Sequence, residues 1–125
     1  MTENEIAKVF VDHAFKIHYK LGPGLYESVY EEILCFELQK SGLYVEKQKG
    51  IPVFWEDIKM DLGFRADLII EKKVIIEIKS VESISPVHNK QLLTYLKITG
   101  LKLGILVNFN EVLIKNGIIR IVNNL

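Results

Sequence analysis

The sequence predicts an α/β sandwich: a mixed β-sheet flanked by helices, in the order α-α-β-β-β-α-β-β. Three observations carry this prediction. Two apolar-periodic helical stretches fill the first forty residues, β-rich runs separated by turn signals follow, and a third helical stretch divides those runs from two closing strands.

The first helix begins at Thr2, a capping residue with Glu5 three positions on to complete a capping box. Ile6, Phe10, Ala14, Ile17 and Leu21 then recur at helical spacing and form a buried face, and Gly22-Pro23-Gly24 ends the element. A second helix runs from about Leu25 to Lys40 with Leu25, Val29, Ile33 and Phe36 on one arc, and Ser41-Gly42 stops it. Tyr44 to Trp55 forms one or two strands broken near Gly50 and Pro52, and Glu56-Asp57 is a turn. Phe64 to Ile70 and Val74 to Lys79 form a hairpin around Glu71-Lys72-Lys73. Ser85 and Pro86 supply the cap and first position of a third helix to about Thr99. Leu103 to Phe109 and Gly117 to Val122 are the last two strands. With no repeat, low-complexity tract or linker, one domain over residues 1–125 is expected.

At 125 residues and 49% hydrophobic composition, the chain has enough apolar surface for a core without staples. Basic and acidic residues balance at 16 each, which counts against a binder that holds nucleic acid by net charge alone. The lone Cys35 excludes an internal disulfide and a Cys-rich zinc site. The start MTENEIAKVF lacks the basic-then-apolar form of a secretion signal, so a cytoplasmic location is expected. The apolar runs, such as Ile105-Leu106-Val107, are far short of the roughly 20 residues that a spanning helix needs.

Within FRADLIIEKKVIIEIKS, three charges interrupt two otherwise apolar strands. Strand alternation puts Glu77 and Lys79 on one face and Val74, Ile76 and Ile78 on the other. A three-residue loop sets Asp67 directly opposite Glu77, whereas a two-residue loop pairs it with Ile76 and asks of Glu71-Lys72 the Asn-Gly chemistry they lack. The three-residue register is therefore preferred. Carboxylates paired across strands lie about 4.5–5.5 Å apart at Cβ and repel unless neutralised. A divalent cation neutralises them, and hard oxygen donors with no cysteine or paired histidine suit magnesium or manganese better than zinc. The alternative is a solvated sheet face.

On the third helix, Val87, Leu92, Tyr95, Leu96 and Ile98 mark the inward arc, with His88, Gln91 and Tyr95 at its centre and Asn89, Lys90, Thr94 and Lys97 facing water. Polar groups on an inward face require partners, which metal-bound oxygens or substrate supply; backbone carbonyls are the alternative. Glu27 lies in the first turn of the second helix beside the apolar arc, where the helix dipole alone favours an acid. His13 and His18 lack metal-ligand spacing and fit packing or surface positions. Gly22-Pro23-Gly24 lacks the third glycine and Lys-Ser/Thr pair of a phosphate loop.

With these residues identified, the chain resembles the GxxExxY proteins of the PD-(D/E)XK nuclease superfamily. The naming motif stands as Gly24, Glu27 and Tyr30 within LGPGLYESVYEEIL, and the similarity continues through RADLIIEKKVIIEIKSVE, QLLTYLKITGLKLGILVNFN and IKNGIIRIV. What the resemblance implies is a PD-(D/E)XK nuclease-like core in which Asp67 and Glu77 bind Mg2+ or Mn2+ and Lys79 is the signature lysine. It implies further that Glu27 completes the acidic cluster, that Gln91 and Tyr95 position water or phosphate, and that His88 is their neighbour. Arg65-Ala66-Asp67 stands where the superfamily name has a proline. The implied activity is metal-assisted hydrolysis of phosphodiester bonds in nucleic acid, DNA ahead of RNA. The alternative is a non-catalytic module that binds nucleic acid or a protein on the same fold. Zero net charge suits a nuclease that pairs with a partner or forms a homodimer to gather basic surface.

Overall fold

The computed structural model describes residues 1–125, with the side chains of Asp61 and Leu62 outside the described set. Its elements follow the expected order: α1 (Glu3–Leu21), α2 (Glu27–Lys40), β1 (Val45–Trp55), β2 (Ile58–Ile70), β3 (Val74–Lys79), α3 (Pro86–Thr99), β4 (Leu103–Asn108), a 3-10 turn (Ile114–Gly117) and β5 (Ile118–Val122). The strands lie in sequence order in one sheet. β3 and β4 pair in parallel, and the other neighbours pair antiparallel. A parallel pair needs a crossover, which the segment containing α3 provides.

Helices cover both faces. α1 and α2 pack Ile6, Phe10, Ile17, Tyr30, Leu34 and Leu38 against Leu68, Ile70, Ile76, Ile78, Ile105 and Val107. α3 packs Leu92 and Leu96 against Ala66, Ile69, Ile75 and Leu106 on the opposite face. This double cover explains why β3 and β4 are apolar in nearly continuous runs rather than alternating.

Local signals account for the ends. Glu5 N–H donates to Thr2 Oγ1 and Thr2 N–H to Glu5 Oε1, at 3.2 and 2.9 Å, closing the capping box that opens α1. Gly22, at a left-handed φ of 69°, ends α1 with its N–H on the His18 carbonyl. The β2–β3 register pairs Ile70 with Val74, so three residues form the loop as expected. Glu71 and Lys72 nevertheless take φ of 54° and 55°, a conformation costly for non-glycine residues. Tyr44 offsets that cost: its N–H donates to the Glu71 carboxylate at 3.0 Å, its carbonyl accepts the Glu71 N–H at 2.8 Å, and Lys72 Nζ sits 5.6 Å from its ring centre.

Two helical faces differ from expectation by about one residue of rotation. On α2 the buried stripe is Tyr30, Glu31, Leu34, Cys35 and Leu38, while Val29 and Phe36 are exposed, as is Leu25, which lies ahead of the helix rather than at its start. Tyr30 decides between these apolar stripes, because its ring stacks on Phe109 at 4.2 Å and its hydroxyl donates to the Gly22 carbonyl at 2.6 Å. On α3, Leu92 and Leu96 are buried but Val87 and Ile98 are exposed, and Asn89 is half-buried rather than solvent-facing. The cause lies on β4: Gly104 leaves the room that Leu92 fills, since a Cβ there would meet the leucine side chain at 2.9 Å. Leu21 is also exposed, beyond the edge of the core.

Candidate functional site

The β2–β3 ladder runs from Ile70–Val74 to Leu68–Ile76, and its continuation puts Asp67 opposite Glu77. At this point β2 turns over. Leu68 and Ile70 belong to the core under α1 and α2, whereas Ala66 belongs to the core under α3, although regular alternation puts Ala66 and Leu68 on one face. On β1 the facing residue is Gln48, flanked by the pairs Lys47–Leu68 and Lys49–Ala66, and its φ is 51°. The twist at Gln48 and Asp67 opens a fork beside β3, and the charged residues gather there.

Asp67 bridges the fork. Its Oδ2 accepts the backbone N–H of Ile78 at 2.8 Å, and its Oδ1 accepts a 3.2 Å bond from Gln48 Nε2. Glu77 is only 8% exposed, and its Oε1 is buried without a hydrogen-bond partner. Burial, followed by the nearby Asp67 carboxylate, pushes the Glu77 carboxyl up to about 9, against the pull of the Lys79 ammonium. Tyr95 stacks on Phe64 at 3.7 Å, and burial raises its phenol, with Glu77 and Asp67 adding to the rise.

The Gly24, Glu27 and Tyr30 spacing has a mechanical explanation. Gly24 takes a φ of 107° that a side chain disfavours. Tyr30 hydroxyl closes the turn by donating to Gly22 and accepting from Leu25 N–H. Glu27, first residue of α2, accepts the Ser80 N–H at 3.1 Å, and Ser80 Oγ donates to the Leu25 carbonyl at 2.9 Å. These bonds tie the start of α2 to the residue following Lys79. From the other side, buried Asn108 accepts from Val81 N–H and donates to its carbonyl, at 3.1 and 2.9 Å. The end of the lysine strand is thus held from two elements.

Of the residues singled out from the sequence, Asp67 and Glu77 adjoin, Lys79 is near enough to act on Glu77, and Glu27 lines a cavity of about 220 Å3 with Asp67. Tyr95, on α3, is near enough to Glu77 and Asp67 for their charges to raise its phenol. Gln91 is exposed and makes no hydrogen bond among the described residues, because the seating of Leu92 on Gly104 turns it outward. His88 serves the helix start: its Nδ1 accepts the Ser85 N–H at 3.2 Å. His13 bonds Ser41 Oγ and His18 bonds the Glu111 carbonyl, as packing residues do.

Three residues were missed. Glu31 lines the same cavity, is 8% exposed, and accepts Gln48 Nε2 at 2.6 Å. Its signal was the spacing of four from Glu27, which places both acids on one helix face. Gln48 and Asn108 carried no sequence signal, since their roles depend on strand pairing.

A hard divalent cation fits the donor set. Asp67 and Glu77 offer carboxylate oxygens, one of them buried and unpartnered, and no thiol or imidazole competes. Among the described residues no three Asp, Glu, His or Cys side chains converge at ligating distance.

A model of the PD-(D/E)XK nuclease superfamily matches residues 4–121. The chain is also similar to the crystal structure of SSO0001, with a TM-score of 0.55 at 23% identity over 79% of this chain. That likeness is one of fold, and this chain spans about half, 51%, of that one. No curated protein matches. Among the described residues no helix is long and apolar enough to cross a membrane. The matched segment takes in the α2 acid, the forked strand pair and the lysine strand: the chain belongs to the PD-(D/E)XK nuclease superfamily.

Proposed function

We propose that this protein is a nuclease that hydrolyses phosphodiester bonds with Mg2+ or Mn2+ held by Asp67 and Glu77. The observation that carries the reading is the carboxylate pair at the β2–β3 fork, with Glu77 Oε1 buried and without a partner. A bound ion supplies Lewis acidity and positive charge at the phosphate. Asp67 is oriented for its role by Ile78 N–H and the Gln48 amide. Lys79, half-buried on the Glu77 face of β3, holds a fixed ammonium beside the scissile phosphate and stabilises the charge that develops there. Glu27 keeps the segment following Lys79 in place through Ser80, and Tyr95 positions the phosphate from α3.

The test is a cleavage panel of duplex, single-stranded, junction and end-bearing DNA and RNA with each ion. Cleavage lost in Glu77→Gln supports the reading, and no cleavage of any substrate overturns it. Balanced charge makes a two-fold pair the simplest source of extra basic surface, and sedimentation of the active species checks this. A second reading, a non-catalytic binding module on the same fold, is favoured by the absence of three converging ligands among the described residues. It predicts nucleic-acid or protein binding without cleavage.

A further inference from the structure

The far end of the β1–β2 ribbon carries large apolar groups into solvent. Trp55 is 67% exposed, and its cross-strand partner Ile58 and its neighbour Phe54 are exposed as well. Ile58, Met60 and Phe64 follow on β2 at the spacing of one strand face, and Phe64 pairs with Ile51. This row leads to the candidate site, because Phe64 stacks on Tyr95 at 3.7 Å and Tyr95 lies near Glu77 and Asp67. Beyond Pro52 the ladder shifts register, and the strands approach so closely there that a Cβ on Gly63 would clash with the Ile51 carbonyl oxygen. Such a bulge bends the ribbon. A groove of about 620 Å3 opens at the bend, lined by Ile51, Pro52, Lys59, Met60, Phe64 and Arg65. Among the described residues neither Lys59 nor Arg65 has a carboxylate partner, and Arg65 donates only to the Gln48 carbonyl, at 3.4 Å. The acids Glu56 and Asp57 stand at the turn beyond Trp55 and do not line the groove.

We propose that this groove and the apolar end of the ribbon are a track for single-stranded nucleic acid, with phosphates on Lys59 and Arg65 and an unstacked base on Trp55, leading the strand to the carboxylate pair. The inference rests on the reading above, in which nucleic acid is the ligand, and narrows that ligand to strands with unpaired bases. Exposed aromatic rings attract base faces, and those faces are available only where the strand is unpaired, since a duplex buries them in its own stack. Two cations on a chain of zero net charge also offer little to hold a duplex by its phosphates alone. From Ile58 to Phe64 the ribbon spans roughly 20 Å, the length of a few nucleotides.

Trp55 is the sole tryptophan, so its fluorescence reports on the proposed contact directly. The probe is an oligothymidylate titrated with chelator present, followed by Trp55 fluorescence and, with a labelled strand, by anisotropy; melting curves are recorded for every variant. Saturable quenching is expected, with log affinity falling against log salt at a slope of about 1.4 for two phosphate contacts, and at about 0.7 in Lys59→Ala or Arg65→Ala. Trp55→Ala is expected to weaken binding about fivefold or more, as loss of a stacked base does, and Trp55→Phe to recover most of it. Binding that leaves the fluorescence unchanged, or that a folded Trp55→Ala leaves intact, overturns the inference, and so does equal affinity for a duplex. A wild type that cleaves with Mn2+ but shows no quenching overturns this inference and leaves the proposed function standing. Quenching without cleavage of any substrate overturns the nuclease and leaves the track. A homodimer that Trp55→Ala separates gives the surface to a second copy and overturns the track.

Discussion

The Asp67 carboxylate and the Ile78 backbone are joined by a 2.8 Å hydrogen bond in which Ile78 N–H is the donor. A side chain of β2 thereby satisfies a buried donor of β3 just where the ladder between the two strands ends. Asp67 has a structural duty as well as the proposed metal one, and the two separate by substitution. Asp67→Ala is expected to cost about 1–3 kcal/mol, because the Ile78 donor is left unpaired. Asp67→Asn keeps an acceptor and recovers most of that stability without recovering Mn2+ affinity. Urea unfolding alongside Mn2+ calorimetry measures both.

Glu77 makes the metal-free protein sensitive to pH. Unfolded, its carboxyl titrates near the ordinary 4.5, and folded it is pushed up to about 9. Between those values the folded chain holds a proton that the unfolded chain has released, so folding loses stability as pH rises. Full stability is present below about pH 4.5 and is lost progressively up to about 9. Burial raises Glu31 too, with the same sign. With chelator present, the thermal midpoint is expected to fall across this window, and Glu77→Gln to remove most of the slope. A flat profile in the wild type contradicts the assignment.

Lys79 discriminates an enzyme from a binder. Its removal in Lys79→Ala is expected to reduce cleavage by about a hundredfold or more, the usual loss of a transition-state charge contact. Mn2+ affinity should be unchanged, since an ammonium is no ligand. Lys79→Arg is expected to restore little, because a broad planar guanidinium does not replace a compact ammonium. A pure binder instead loses about one phosphate contact, seen as a shallower salt dependence of nucleic-acid affinity.

Tyr30 is expected to act through the turn ahead of α2. Tyr30→Phe keeps the stack on Phe109 and removes the hydroxyl that donates to Gly22 and accepts from Leu25. The expected cost is about 1 kcal/mol or somewhat more, as for a hydrogen bond lost from a partly buried group. Hydrogen exchange at Leu25 and Ser80 should quicken, because the turn carries the bonds between the start of α2 and the lysine strand.

Much of the site was legible from local sequence rules. Strand alternation and the poor fit of Glu71-Lys72 to a two-residue turn were enough to choose the three-residue loop, and the observed ladder keeps that register from Ile70–Val74 to Leu68–Ile76, one pair short of Asp67 and Glu77. Gln91 and His88 were not legible in the same way. Helical periodicity leaves a rotation of about one residue open when two apolar stripes adjoin. On α3 that rotation depends on Gly104, which is distant in sequence and invites Leu92 inward.

By itself, the sequence determined the element order, the caps at Thr2 and Ser85, the three-residue loop and the charged face of β3, because each depends on residues within a few positions of one another. Only the tertiary structure decided which stripe of α2 is buried, that β2 turns over at Asp67, and that Glu31, Gln48 and Asn108 reach the lysine strand and its neighbours. Those outcomes depend on contacts between distant segments: Tyr30 on Phe109, Gln48 across from Asp67, Asn108 on Val81. The physical reason is that burial and hydrogen-bond satisfaction are settled by whichever groups the packed layers bring together, and no local pattern encodes that meeting.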